Sequence, residues 1–216
     1  MKIISKNKEP AGRIILITTV LSVGYAILRY NIFGDVPWKD VPIFVLNKGI
    51  SLASFILLVL SFSLGPMRNL GILISDKLLE ARKSIGMVGL MYVVVHLVMS
   101  LCILNPRYYS NFFVEDTTLS LSGGLSLLAG VLGFALLGIH HVSFKENIKK
   151  VYRIIASINS KKIIIGTIFF IGIHVFFIGF TRWTAVNEWH GGLPPISLLS
   201  FTVFFLGFLI NLLGRK

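Results

Sequence analysis

The chain has 216 residues, of which 55% are apolar and only 14% charged, with a mean hydropathy of +0.83. A soluble domain of this size needs more polar surface than that, so a soluble fold is excluded. The net charge of +12 does not imply a nucleic-acid partner, because the basic residues sit on the flanks of apolar runs and no nucleic-acid-binding fold accompanies them.

Crossing about 30 Å of hydrocarbon takes roughly 20 apolar residues in a helix. Six runs qualify, approximately 14–33, 43–64, 85–104, 119–139, 163–180 and 193–213. None shows the strict alternation of a lipid-facing strand, so the fold expected is an all-α integral membrane protein, a single bundle of six transmembrane helices. The first run is longer than an ordinary signal h-region and no small-x-small site follows it before Trp38, so it is expected to stay as a helix.

Basic residues near helix ends are retained on the cytoplasmic side. Lys2, Lys6, Lys8 and Arg13 precede the first run; Arg68, Lys77, Arg82 and Lys83 follow the second; Lys145, Lys149, Lys150, Arg153, Lys161 and Lys162 follow the fourth; Arg215 and Lys216 end the chain. The other connections hold Lys39, Arg107 and Arg182 against Asp35, Asp40, Glu115, Asp116 and Glu188. Both termini are therefore expected inside, in a multi-pass protein of the cell membrane, for which a bacterial inner membrane is the natural setting.

The single Cys, Cys102 near the outer end of the third helix, excludes a paired-thiol exchanger and is expected to pack as a small hydrophobe. Phosphate loops, a His-Glu-x-x-His zinc site and a nucleophile elbow are absent from the sequence. Ser122, Gly123 and Gly124, where the fourth helix begins, read as a close-packing device.

Ionisable side chains inside spans are costly, and each marks a candidate site. His96 stands 13 residues past Lys83 and His174 stands 12 past Lys162, so both rings fall at one depth in the outer half. At about 1.5 Å per residue that depth is roughly 18 to 20 Å from the inner flank. Two level imidazoles on parallel helices suit the two faces of a haem iron; zinc would usually want a third or fourth ligand, and no Cys, Asp or Glu lies at that depth. A hydrogen bond from each His to a neighbouring helix is the plainer alternative.

The stretch ARKSIGMVGLMYVVVHL, holding Arg82, Lys83, Gly86, Tyr92 and His96, and the stretch IGIHVFF with His174, resemble the ferric reductase-like transmembrane domain family. Helix count, orientation and an outer connection ending in Leu193, Pro194 and Pro195 extend the likeness over nearly the whole chain. In size and in lacking a flavin or nicotinamide domain, it is most similar to the branch that forms the haem-binding membrane subunits of methionine sulfoxide reductase systems. The resemblance implies a six-helix module that binds haem b and passes electrons across the membrane. The donor is a cytoplasmic flavoprotein or membrane quinol; the acceptor is an external reductase subunit, molybdenum-containing in that branch, or ferric iron.

Many members of the family carry a second His about 13 residues inward on the fifth helix, where this chain has Lys161; the matching position on the third helix is Lys83. One outer haem is therefore expected. His140 and His141 end the fourth helix, but adjacent helical residues point about 100° apart and cannot share an iron; they read as complements to the helix dipole. Lys48, beside Asn47, together with Arg29 and Arg182, are the cations placed to pair with haem propionates or to snorkel to the surface. Trp183 and Trp189 read as interfacial aromatics and His190 as a solvated loop residue. The function expected is membrane electron transfer by a redox subunit that depends on partner proteins. A haem-free transporter or scaffold, with the imidazoles in a proton or ion path, is the alternative.

Overall fold

A computed structural model of the chain describes residues 8–115, 117–143 and 160–214. It has six long helices, α1 Lys8–Ile27, α2 Leu46–Asn69, α3 Asp76–Cys102, α4 Leu121–Val142, α5 Ser160–Gly179 and α6 Ile196–Gly214. All six are long and apolar enough to cross a membrane, and each overlaps one of the apolar runs. Their outward side chains are apolar too: Leu21 is 67% exposed and Leu213 63%, an exterior suited to lipid rather than to water.

Local chemistry sets the ends. Ser75 caps α3 by accepting the Leu78 amide, and Ser120 caps α4 by accepting the Gly123 amide at 3.1 Å. The chain leaves α2 through a Schellman turn, in which the Ile72 amide bonds the Met67 carbonyl and the Gly71 amide bonds that of Arg68. Gly71 takes φ of 84° there, a conformation open to glycine. Between α1 and α2, π-helical turns at Leu28–Ile32 and Val41–Val45 flank Pro37, and Pro42 stands in the first positions of the second. A two-residue hairpin, β1 Phe113–Val114 with β2 Thr118–Leu119, lies between α3 and α4.

α2 is the hub. It is apolar on every side, and its buried set, from Asn47 through Leu52, Phe55, Leu58 and Phe62 to Pro66, covers all faces. It packs on α1, α3 and α6, while α5 packs on α6 and α4, so the bundle is joined in the order α3, α2, α6, α5, α4, with α1 against α2 and α3. The backbones of α3 and of the α4–α5 pair thus stand apart. Side chains fill the middle of that interval, where Leu58, Phe62, Leu137, Ile164, Ile168 and Phe204 form the main core. At Gly49 the absent Cβ lets α2 approach α1, since a Cβ there would stand 2.7 Å from Val23 Cα. Gly123 serves the same purpose against the Phe112 carbonyl rather than against another helix.

Several polar side chains pair across the bundle. Asn211 on α6 donates to Ser63 on α2 at 2.8 Å, and Asn69 at the end of α2 donates to the Gly214 carbonyl at 2.9 Å. These contacts, with Arg68 to Asp76 at 2.8 Å, put the ends of α2 and α6 and the start of α3 together. At the other end Tyr25 donates to the Pro194 carbonyl at 2.6 Å and Asn47 meets Ser100, joining the end of α1 to the start of α6 and the start of α2 to the end of α3. The helices therefore alternate in direction. Arg68, Lys77, Arg82, Lys83, Lys161 and Lys162 share one end, called here the basic end, and Asp35, Asp40, Glu115 and Glu188 lie at the opposite one. Lys145, Lys149, Lys150 and Arg153 lie outside the described residues. Cys102 is exposed, not packed as expected, because the last turn of α3 has no helix against that face.

The close approach at Gly49 predicts that Gly49→Leu destabilises the bundle by about 1–3 kcal/mol, the usual cost of forcing atoms into a packed contact. Gly24→Leu, where a Cβ meets nothing within 4 Å, should change little. Thermal unfolding of both variants in detergent checks the difference.

Candidate functional site

His96 and His174 fall in the last two turns of α3 and α5, both toward the opposite end from the basic residues. Each is held through the same ring atom. His96 Nδ1 donates to the Asn47 side-chain oxygen at 2.7 Å. Asn47 is itself fully buried in the first turn of α2 and is fixed by donating to Ser100 Oγ at 3.0 Å and the Tyr109 hydroxyl at 3.4 Å. His174 Nδ1 donates to the Ser126 backbone carbonyl on α4 at 2.8 Å, and the Ser126 hydroxyl returns a bond to the His174 carbonyl at 3.0 Å.

These bonds decide the tautomer. An amide oxygen and a backbone carbonyl only accept, so Nδ1 carries the proton in both rings and Nε2 keeps its lone pair. Among the described residues neither Nε2 takes a hydrogen-bond partner. The two imidazoles and the Lys48 ammonium lie within electrostatic reach of one another. Each imidazole therefore has one nitrogen fixed by a neighbouring helix and the other left without a partner as a candidate donor.

Glycine makes room for one of the rings. A Cβ at Gly130, one turn along α4 from Ser126, would stand 2.9 Å from His174 Nδ1, so α4 must be bare there for the imidazole to lie against it. Ser126, Gly130 and Gly133 follow one face of α4 at helical spacing, and Gly133 meets Ile171 on α5. The sequence reading missed Ser126 and Gly130. The available signal was a Ser in a span with Gly four residues on, the pattern of a helix face pressed against a neighbour.

The cations expected nearby divide. Lys48 Nζ lies 4.5 Å from the Tyr109 ring centre and 5.3 Å from that of Phe44, a cation held over aromatic faces beside Asn47. Arg29 is buried and donates to the Leu193 carbonyl, tying α1 to the connection before α6, so it does not snorkel. Arg182 is exposed and donates to Asn111 at 3.2 Å, linking two connections. Above Lys48, Tyr108 donates to Asp40 at 3.0 Å, and that bond holds its phenol above the usual range.

The remaining histidines are elsewhere. His140 is buried near the end of α4 with its ring edge-on to Phe62 at 5.4 Å, and His141 follows it at the basic end. His190 lies at the opposite end, beside Gly34. Among the described residues no three His, Cys, Asp or Glu side chains gather as a ligand set for a bare metal ion. A cavity of about 870 Å³ opens between α2, α3, α4 and α5 at the basic end, lined by Arg82, Lys83, Lys161, His140 and His141 among apolar walls.

The chain matches no protein-family model and no curated protein sequence.

The hydrogen-bond geometry predicts that ¹⁵N spectra of histidine-labelled protein, before any ligand is added, show His96 and His174 as neutral Nδ1–H tautomers. Asn47→Leu should abolish the fixed tautomer of His96 and leave that of His174 in place.

Proposed function

We propose that the chain is a membrane electron-transfer protein that holds one haem b between His96 and His174. The observation that carries this reading is the matched pair of imidazoles, on helices whose backbones stand apart, each tied through Nδ1 with Nε2 left as a donor. His96 and His174 would be enough to hold a haem, whereas a bare metal ion would usually need further protein ligands. The chemistry such a group supplies is a one-electron iron couple.

The protein's own residues set the conditions for it. Asn47 and the Ser126 carbonyl fix ring orientation and, by accepting from Nδ1, make Nε2 the stronger donor. Gly130 keeps α4 clear of the His174 ring. The apolar side chains of the core exclude water and favour the form with less net charge, and Lys48 is the cation available to a propionate. Arg29 and Arg182, already bonded to Leu193 and Asn111, serve the architecture of that end instead.

Direction follows from charge. With the basic end placed in the cytoplasm, both termini are inside and the histidines lie in the outer half of a multi-pass cell-membrane protein, as in a bacterial inner membrane. Electrons then enter from a cytoplasmic flavoprotein or membrane quinol and leave to an external reductase subunit or ferric iron. The ferric reductase-like family performs this task, and the likeness of its third- and fifth-helix histidine pattern supports the same role here.

Reporter fusions check the orientation: one after Lys77 should read cytoplasmic and one near Glu115 external, and a cytoplasmic reading at Glu115 would overturn the six-span topology. For the site, purified protein should show a Soret band that sharpens and shifts on reduction. His96→Ala and His174→Ala should each lose most of the haem, Gly130→Leu should lose it by displacing His174, and His140→Ala, His141→Ala and His190→Ala should retain it. An unchanged reduced spectrum in both His96→Ala and His174→Ala would sink the assignment, and loss in His140→Ala would move the haem toward the basic end.

A further inference from the structure

The cavity at the basic end lies away from the His96–His174 pair and combines two kinds of surface. Its walls are apolar, with Leu58 from α2, Leu90 from α3 and Leu137 from α4. Three cations, Arg82, Lys83 and Lys161, stand on its rim from two helices whose backbones do not pack together. No carboxylate lines it among the described residues. Arg82 and Lys83 also line a neighbouring groove together with Asp76 and Glu80, where Asp76 is bonded to Arg68 at 2.8 Å.

We propose that this cavity is a binding site for an anionic phospholipid, with the headgroup phosphate on Arg82, Lys83 and Lys161 and an acyl chain between the apolar walls. Water fills such walls poorly, and a small soluble anion would satisfy only the rim. An amphiphile with a phosphate head satisfies both. The rim also stands where helix-flanking cations meet headgroups: Arg82 and Lys83 are exposed and Lys161 half-buried. Arg82 is additionally braced from behind, because Ser61 on α2 donates to its backbone carbonyl at 2.8 Å. The inference rests on the membrane-spanning fold and is independent of what the histidine pair binds.

The test is native mass spectrometry of the full chain in detergent, titrated with phosphatidylglycerol or with phosphatidylcholine of the same acyl chains. Wild type should retain phosphatidylglycerol preferentially, and each rim cation changed to Gln should weaken that retention by about fivefold, the worth of one basic residue at an anionic surface. Lys77→Gln removes an exposed cation of the same end that does not line the cavity, and should leave retention unchanged. Gly65→Leu keeps every charge but fills the cavity, where a Cβ meets only Arg82 Nη1 at 3.5 Å; it should also lower retention in protein that remains monodisperse and helical. Unchanged retention in both the triple Gln variant and Gly65→Leu, or an equal loss in Lys77→Gln, overturns the proposal. Displacement of the lipid by millimolar inorganic phosphate overturns it in favour of a soluble anion.

Discussion

The structure depends on the burial of α2. α2 carries Asn47 and Ser63 where lipid offers them no partner, and it is surrounded by α1, α3 and α6, of which α3 supplies Ser100 to Asn47 and α6 supplies Asn211 to Ser63. The α4–α5 pair then has no place directly on α2 and reaches it through α6 and through long side chains. This leaves α3 and α5 on either side of an interval that is packed in the middle by Phe62, Leu137 and Ile168 and open as a cavity at the basic end, with the two histidines toward the other end. Both candidate sites are consequences of that one arrangement.

At the histidine pair, the hub also supplies half of the orientation. Asn47 belongs to α2 and carries His96, while the backbone of α4 carries His174, so each ring is fixed by a helix other than its own. In a medium without water, an imidazole with no acceptor for its N–H would be expensive, and the pairing removes that cost. The same pairing leaves the second nitrogen available. A single set of bonds thus answers a folding requirement and prepares a ligand.

The two ends of the bundle divide the charge. At one, cations outnumber acids and rim an apolar cavity; at the other, Asp40 gathers Tyr108 and Arg107, with Lys48 lying over Tyr109 just beneath. This sorting follows from the alternation of helix direction, which collects every second connection on one face. It gives the molecule a basic end rich in exposed cations and an opposite end built from aromatic and hydrogen-bonded connections.

The sequence by itself determined the number of apolar spans and set the two histidines toward the same end of the bundle, because hydropathy and helical rise depend only on residues near one another along the chain. It placed His96 and His174 at one depth but could not find Ser126, Gly130 or the role of Asn47, since those depend on which helices touch. That Lys83 and Lys161 share the rim of a cavity was not legible, because they stand on two helices whose backbones do not pack together. Arg29, at a helix end, looked ready to snorkel, and tertiary structure buried it against the Leu193 carbonyl instead. Cys102 went the other way, to an exposed turn. Lateral packing order, set by α2 and by small residues such as Gly49 and Gly130, is a property of surfaces brought together from distant parts of the chain, and only the folded bundle decided it.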